Sequence, residues 1–352
     1  MRRFLFLDFL RAIALIEMIH GHTLDALLGL FQKNSSFWIF WQNIRGFTAP
    51  LFLFASGLSF SISTLNKKYY LYFSEKLFTR LRRLIFIIFL GYILHLPYFS
   101  FKRTFFNSSF KDFENFLNVD ILQCIGMTLL ILQIFYFLLR NEKIFIFFTS
   151  FLFLTFYFLT IFFKKVDLSL PILISKYFKN SLFPLTPFSL YLFSGCIIGY
   201  FFLLNKKNKN FLIFSLIFFV IFLIFKFFKL PQEITFLRIS IISFISFLTL
   251  FLENSKNKIL SILQTFGKES LVVYFFHLPV VYGWVLNPGL RHFLSGKLNF
   301  LQIYIIYIFL LIFFFSFAIF WNKLKEKNEE LSSKIKYLLY ISFITSFFAN
   351  PY

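Results

Sequence analysis

The chain has 352 residues, 59% of them hydrophobic and 14% charged, with 36 Lys and Arg against 15 Asp and Glu, for a formal net charge of +21. A soluble domain of this length needs more polar surface than that, and apolar runs of about 20 residues recur along the chain, so an all-α, polytopic membrane bundle is expected. The positive charge does not point to nucleic acid, because the basic residues cluster in short loops between apolar runs, where cytoplasmic-face anchoring accounts for them.

In chain order, ten spans are expected, over about 5–30, 46–64, 81–101, 119–140, 144–163, 184–204, 210–229, 234–253, 268–286 and 299–321. Residues 337–349 are short for a span and read as either an eleventh helix or an interfacial one. The expected division is one transmembrane domain over 1–322 and a cytoplasmic basic segment with a short apolar tail over 323–352. Cys124 and Cys196 fall within expected helices and make neither a disulfide framework nor a metal quartet, so no metal is expected. The 64 phenylalanines read as lipid-facing filler. Asp8, Arg11 and Glu17 interrupt the first apolar run, which argues against a cleavable signal peptide and for an uncleaved first helix.

The densest basic cluster lies in 65–83, with Lys67, Lys68, Lys76, Arg80, Arg82 and Arg83 against Glu75, so this connection and the N-terminus are expected on the cytoplasmic side of a bacterial inner membrane. Segments 205–210 and 322–336 then also fall inside. The loop 164–183, with four lysines, falls outside against the charge rule.

Charged residues inside bilayer are functional-site candidates by default. The first span reads Asp8-x2-Arg11-x10-His22, and eleven residues are three helical turns, so Arg11 and His22 share a face about 16 Å apart. A structural ion pair is the plainer reading of Asp8 and Arg11, and a backbone hydrogen bond that of His22. His20, three residues after Glu17 and able to pair with it, is the rival base. Arg45, Asp120, Gln123, His277 and Tyr282 fall in the central or outer membrane and are expected to line one wet cavity with His22. His95 and His292 read as structural or loop residues. Gly195 and Gly199 read as a small-residue packing face. The chain shows no internal repeat and no interrupted helices, both of which mark many transporters.

Six segments in order carry a family resemblance: RFLFLDFLRAIALIEMIHGH (3–22), IRGFTAPLFLFASGLSFS (44–61), RLRRLIFIIFLGYIL (80–94), VDILQCIGMTLLIL (119–132), PLTPFSLYLFSGCIIGYFF (184–202) and FGKESLVVYFFHLPVVYG (266–283). Together they resemble the bacterial membrane proteins related to the catalytic domain of heparan-alpha-glucosaminide N-acetyltransferase, near the family-three membrane acyltransferases with their Arg-x10-His signature. One departure is Ala12, where a glycine usually follows the arginine; alanine still permits close helix packing. The resemblance implies transfer of an acyl group, commonly from cytosolic acyl-CoA, to a glycan or lipid-linked acceptor on the far side of the membrane, with no resident cofactor. On that reading His22 is the base, with Arg11, Asp8 and His277 beside it in the catalytic set. Arg45, Asp120, Gln123 and Tyr282 are candidates for substrate binding, and Arg80, Arg82 and Arg83 for the CoA phosphates, though topology anchoring explains those three as well. A transporter or flippase without covalent chemistry, and a non-catalytic scaffold, are the other readings.

Overall fold

The computed structural model describes residues 4–29, 32–65, 75–166, 168–205, 208–253 and 257–351. In these residues the chain forms α1 (Leu5–Leu27), α2 (Ser36–Arg45), α3 (Thr48–Leu65), α4 (Glu75–Leu94), α5 (Phe101–Phe106), α6 (Phe110–Phe116), α7 (Ile121–Leu139), α8 (Glu142–Lys165) and α9 (Ile172–Phe178). It continues through α10 (Leu185–Asn205), α11 (Lys209–Phe227), α12 (Glu233–Leu250), α13 (Lys258–Lys268), α14 (Ser270–Tyr282), α15 (Gly289–Leu294), α16 (Phe300–Lys327) and α17 (Glu329–Ala349). Among the described residues, seven helices are long and apolar enough to cross a membrane, and the bent pair of α13 and α14 makes an eighth candidate. α1 has the length but carries Asp8, Arg11, Glu17 and Asp25, more charge than an ordinary span. The chain is a polytopic helical membrane protein.

Several expected boundaries are corrected. The third span begins at Glu75 and ends at Leu94, not over 81–101, because the amphipathic stretch EKLFTRLRR continues the helix and the chain turns before His95 and Pro97. Arg80, Arg82 and Arg83 are therefore helical, while Lys67, Lys68 and the rest of 66–74 lie outside the described residues. The span expected over 268–286 is α14, which ends at Tyr282, and at its start around Glu269 the chain bends by 74° from α13. This overturns the expectation of uninterrupted helices. The stretch 322–336, expected as a cytoplasmic basic segment, is helical on both sides of Asn328, whose side chain accepts from the Leu331 amide and starts α17. That cap gives the tail 21 helical residues, where 13 apolar ones were read.

The helices fall into two compact units. The first comprises residues 1–48, 94–116 and 255–352. Here α1 packs against α2, α13, α14, α15 and α16, α16 against α17, and α17 against α5. α1 and α13 approach backbone to backbone: a Cβ on Gly267 would stand 1.8 Å from the Asp8 carbonyl oxygen, so glycine is required there. Buried Glu269, at the bend, pairs with Lys325 of α16 and anchors the break.

The second unit comprises residues 49–93 and 117–254. In it α10 packs on α7, α8, α11 and α12. α3 also lies against α10, with Ser61 Oγ donating to the Cys196 carbonyl at 2.7 Å. The small-residue face operates here, since a Cβ on Gly195 would stand 2.1 Å from the Phe54 carbonyl oxygen. Phenylalanines such as Phe147, Phe151 and Phe158 on α8 are exposed, as a lipid-facing surface requires. Cys124 and Cys196 are both free and buried.

Candidate active site

The polar residues of α1 sort by helical position into three groups. At its N-terminal end Arg11 and Asp8 form an ion pair at 3.4 Å, with the Asp8 side chain buried and that of Arg11 26% exposed. The i, i+3 spacing puts the two groups one turn apart on one face, where a fork-shaped guanidinium reaches a carboxylate directly. His22 is three turns further along, about 16 Å away, so Arg11 and His22 do not touch.

His20 and His22 point away from each other, because two residues turn a helix by about 200°. The His20 ring is held in an aromatic cage, 4.2 Å from Trp41 of α2, 4.7 Å from Tyr307 and 5.3 Å from Tyr304 of α16, centroid to centroid. Glu17 Oε2 and His20 Nε2 are each buried without a hydrogen-bond partner among the described residues, so the expected pairing of Glu17 with His20 is not made through these atoms. Imidazole and carboxylate instead face the aromatic walls.

His22 faces α14. Its ring lies 5.2 Å from that of His277 and 5.3 Å from that of Tyr282, both edge to face. His277 is fully buried. Its Nδ1 stands 2.7 Å from the Tyr274 carbonyl oxygen and 3.2 Å from that of Val273. Carbonyl oxygens only accept, so Nδ1 carries the proton and Nε2 is the basic nitrogen. His22 Nδ1 is buried and has no hydrogen-bond partner among the described residues. Two imidazoles thus meet edge to face, one with its tautomer set by its own helix.

One turn beyond His22, Asp25 joins the group. Arg45, the last residue of α2, donates to Asp25 Oδ1 at 3.2 Å, and the Tyr282 hydroxyl donates to Oδ2 at 3.1 Å. The Arg45 and Asp25 side chains are 37% and 39% exposed, so this ion pair forms the open rim of the site next to partly buried His22 and fully buried His277. The Lys33 ammonium donates to the Asp25 carbonyl at 2.9 Å, and the Arg291 guanidinium lies 5.8 Å from the Tyr282 ring centroid. Chemically, the arrangement offers a lone pair for a proton, a cation near it for a developing negative charge, and a carboxylate that holds the cation in place.

The other sequence candidates have local roles of their own. Asp120 and Gln123 close a capping box on α7: Asp120 Oδ1 accepts from the Ile121 amide at 2.7 Å, and Gln123 Oε1 accepts from the Asp120 amide at 2.9 Å. A helix cap accounts for both. Arg80 donates to Thr64 Oγ1 and to the Ser63 carbonyl, each at 2.9 Å, and so ties α4 to the carbonyl end of α3. Arg82 and Arg83 are exposed on α4. His95 follows α4, and His292 is exposed on α15. Asp25 was missed by sequence reasoning. Its signal was present, since His22-x2-Asp25 repeats the one-turn spacing of Asp8-x2-Arg11.

Comparison with curated proteins gives no match. Residues 3–226, well over half of the chain, match the family described as heparan-alpha-glucosaminide N-acetyltransferase, catalytic. The match includes His22, Asp25 and Arg45 and ends before α14. On that extent, the chain belongs to the heparan-alpha-glucosaminide N-acetyltransferase catalytic family.

Proposed function

We propose that the chain is a multi-pass inner-membrane acyltransferase that moves an acyl group, acetyl in the simplest case, from cytosolic acyl-CoA to a glycan or lipid-linked acceptor on the outer side. The observation that carries this reading is the pair of imidazoles, His22 and His277, 5.2 Å apart beneath the Arg45–Asp25 rim. Such groups are expensive inside a membrane protein unless they serve chemistry or a polar path. The acceptor O–H or N–H gives its proton to an imidazole nitrogen as the oxygen or nitrogen attacks the thioester carbonyl. The carbon–sulfur bond then breaks, CoA leaves as the thiolate, and the proton passes from the imidazolium to that thiolate. His22 is the base of the Arg-x10-His register, and Nε2 of His277 is the second basic nitrogen beside it. Arg45 stabilises the oxyanion of the tetrahedral intermediate, and Asp25 and Tyr282 orient Arg45. Arg82 and Arg83, exposed on α4, serve the CoA phosphates from the cytoplasmic side, with the N-terminus inside.

A transporter or flippase is the second reading, and the 74° break between α13 and α14 favours it, because interrupted helices line substrate sites in many carriers. One experiment separates the two. Vesicles of both orientations, containing the wild-type protein, are given labelled acyl-CoA on one face at a time. Covalent label on a glycan, lipid or amine acceptor is expected only when the cytoplasmic face receives the donor. Absence of covalent label from every acceptor class sinks the acyltransferase reading, and transfer from the opposite face sinks the orientation.

A further inference from the structure

The second unit contains a cavity of about 540 Å³ between the end of α8 and the start of α10. Its volume is in the range of small-molecule sites. Phe163, Phe178 and Phe188 give it apolar walls, and Lys164, Lys165 and Lys179 bring three ammonium groups to it, with no acidic residue among the described lining residues.

The neutral polar groups of the lining are already occupied. Thr160 Oγ1 donates to the Phe156 carbonyl, Ser181 Oγ accepts from the Val119 amide, and Thr186 Oγ1 donates to the Phe178 carbonyl. Lys179 donates to the Leu168 carbonyl at 2.9 Å. Lys164 and Lys165 have no hydrogen-bond or ion-pair partner among the described residues and form the last turn of α8. What the cavity offers a ligand is therefore positive charge over aromatic surface, at the end of two membrane-crossing helices. The helix dipole favours lysines in a last turn but does not explain the cavity beside them. Charge bias does not explain them either, since on the proposed orientation this loop is the one whose lysines oppose the rule.

We propose that this cavity binds the anionic phosphate of a membrane lipid, with Lys164 and Lys165 on the phosphate and the phenylalanines against the glycerol and upper acyl carbons. Basic pockets between transmembrane helices take such headgroups, and a soluble phosphate compound would leave the aromatic walls unused. The inference does not depend on the acyltransferase reading.

The test is native mass spectrometry of the full-length protein, released from nanodiscs of phosphatidylcholine doped with phosphatidylglycerol. Wild type is expected to retain phosphatidylglycerol in preference to phosphatidylcholine. Lys164→Gln with Lys165→Gln should lower that retention about tenfold, while Lys164→Arg with Lys165→Arg and the control Lys323→Gln with Lys327→Gln keep it. Equal retention in the Gln pair overturns the site. A wild type that shows no lipid preference and whose bound lipid is displaced by millimolar inorganic phosphate overturns the lipid assignment, and makes the ligand a soluble phosphate.

Discussion

If His22 and His277 act as one proton-accepting unit, their losses do not multiply. His22→Ala removes a ring that touches two others, at 5.2 and 5.3 Å. Edge-to-face ring contacts are worth about 0.5–1.5 kcal/mol each, so about 1–3 kcal/mol of stability is lost and the protein still inserts. Loss of a general base costs about 10² to 10⁴ in rate, or about 2.7–5.5 kcal/mol of transition-state stabilisation. The activity loss therefore exceeds what reduced stability explains. His277→Ala should do the same, and the double variant should be within about tenfold of the worse single one, because groups that serve one step are strongly non-additive. His20→Ala, outside this pair, should lose much less. The assay is transfer of labelled acyl from acyl-CoA to membrane or periplasmic glycans, at equal inserted protein. Full activity in His22→Ala removes that residue from the chemistry. Multiplied losses in the double variant refute the idea of a shared unit. A matched loss in His20→Ala moves the role to the aromatic cage.

Two further substitutions probe the support of this pair. Asp25→Asn keeps the shape but frees Arg45; the half-exposed ion pair is worth only about 0.2–1 kcal/mol in stability, so melting should barely change while activity falls about 10- to 100-fold, and activity that tracks folded protein would remove Asp25 from the site. Gly267→Ala forces a methyl to 1.8 Å from the Asp8 carbonyl oxygen, and should lower thermal stability by about 1–3 kcal/mol in a detergent melting assay, whereas an unchanged melting point would contradict the α1–α13 contact.

The spans were legible because hydropathy over about 20 residues is a strong signal. What the sequence hid is local and has physical causes. The break at Glu269 is masked by the apolar run that continues through SLVVYFFHLPVVY, and a buried ion pair to Lys325 reveals it only in three dimensions. α2 was unread because SFWIFWQNIR resembles the start of a span, yet it is a separate ten-residue helix whose last residue delivers Arg45 to Asp25. Helix periodicity can say that His20 and His22 face apart. It cannot say which partner each face meets, since those contacts come from α2, α14 and α16. Asp120 shows the converse limit: an acid near a span end reads as a ligand group, but its position before ILQ makes it a helix cap.

The same periodicity bears on how one helix would serve the proposed reaction, with its donor and acceptor on opposite faces of the membrane. α1 carries a guanidinium–carboxylate pair at each end: Arg11 with Asp8, and Arg45 of α2 with Asp25. Between Arg11 and Asp25 lie nearly four turns, about 21 Å, of mainly apolar helix, with His22 about 16 Å from Arg11. A single catalytic cluster would not need the first pair, and a simple topology anchor would not need the second. An elongated donor does need both, since the phosphates of acyl-CoA are separated from its thioester by an extended pantetheine arm. On the proposed reading, Arg11 acts on the part of the donor that stays near the cytoplasm, and the imidazoles act where the thioester meets the acceptor. The Arg-x10-His spacing is then the length of helix that divides phosphate recognition from chemistry, and the two residues need never touch.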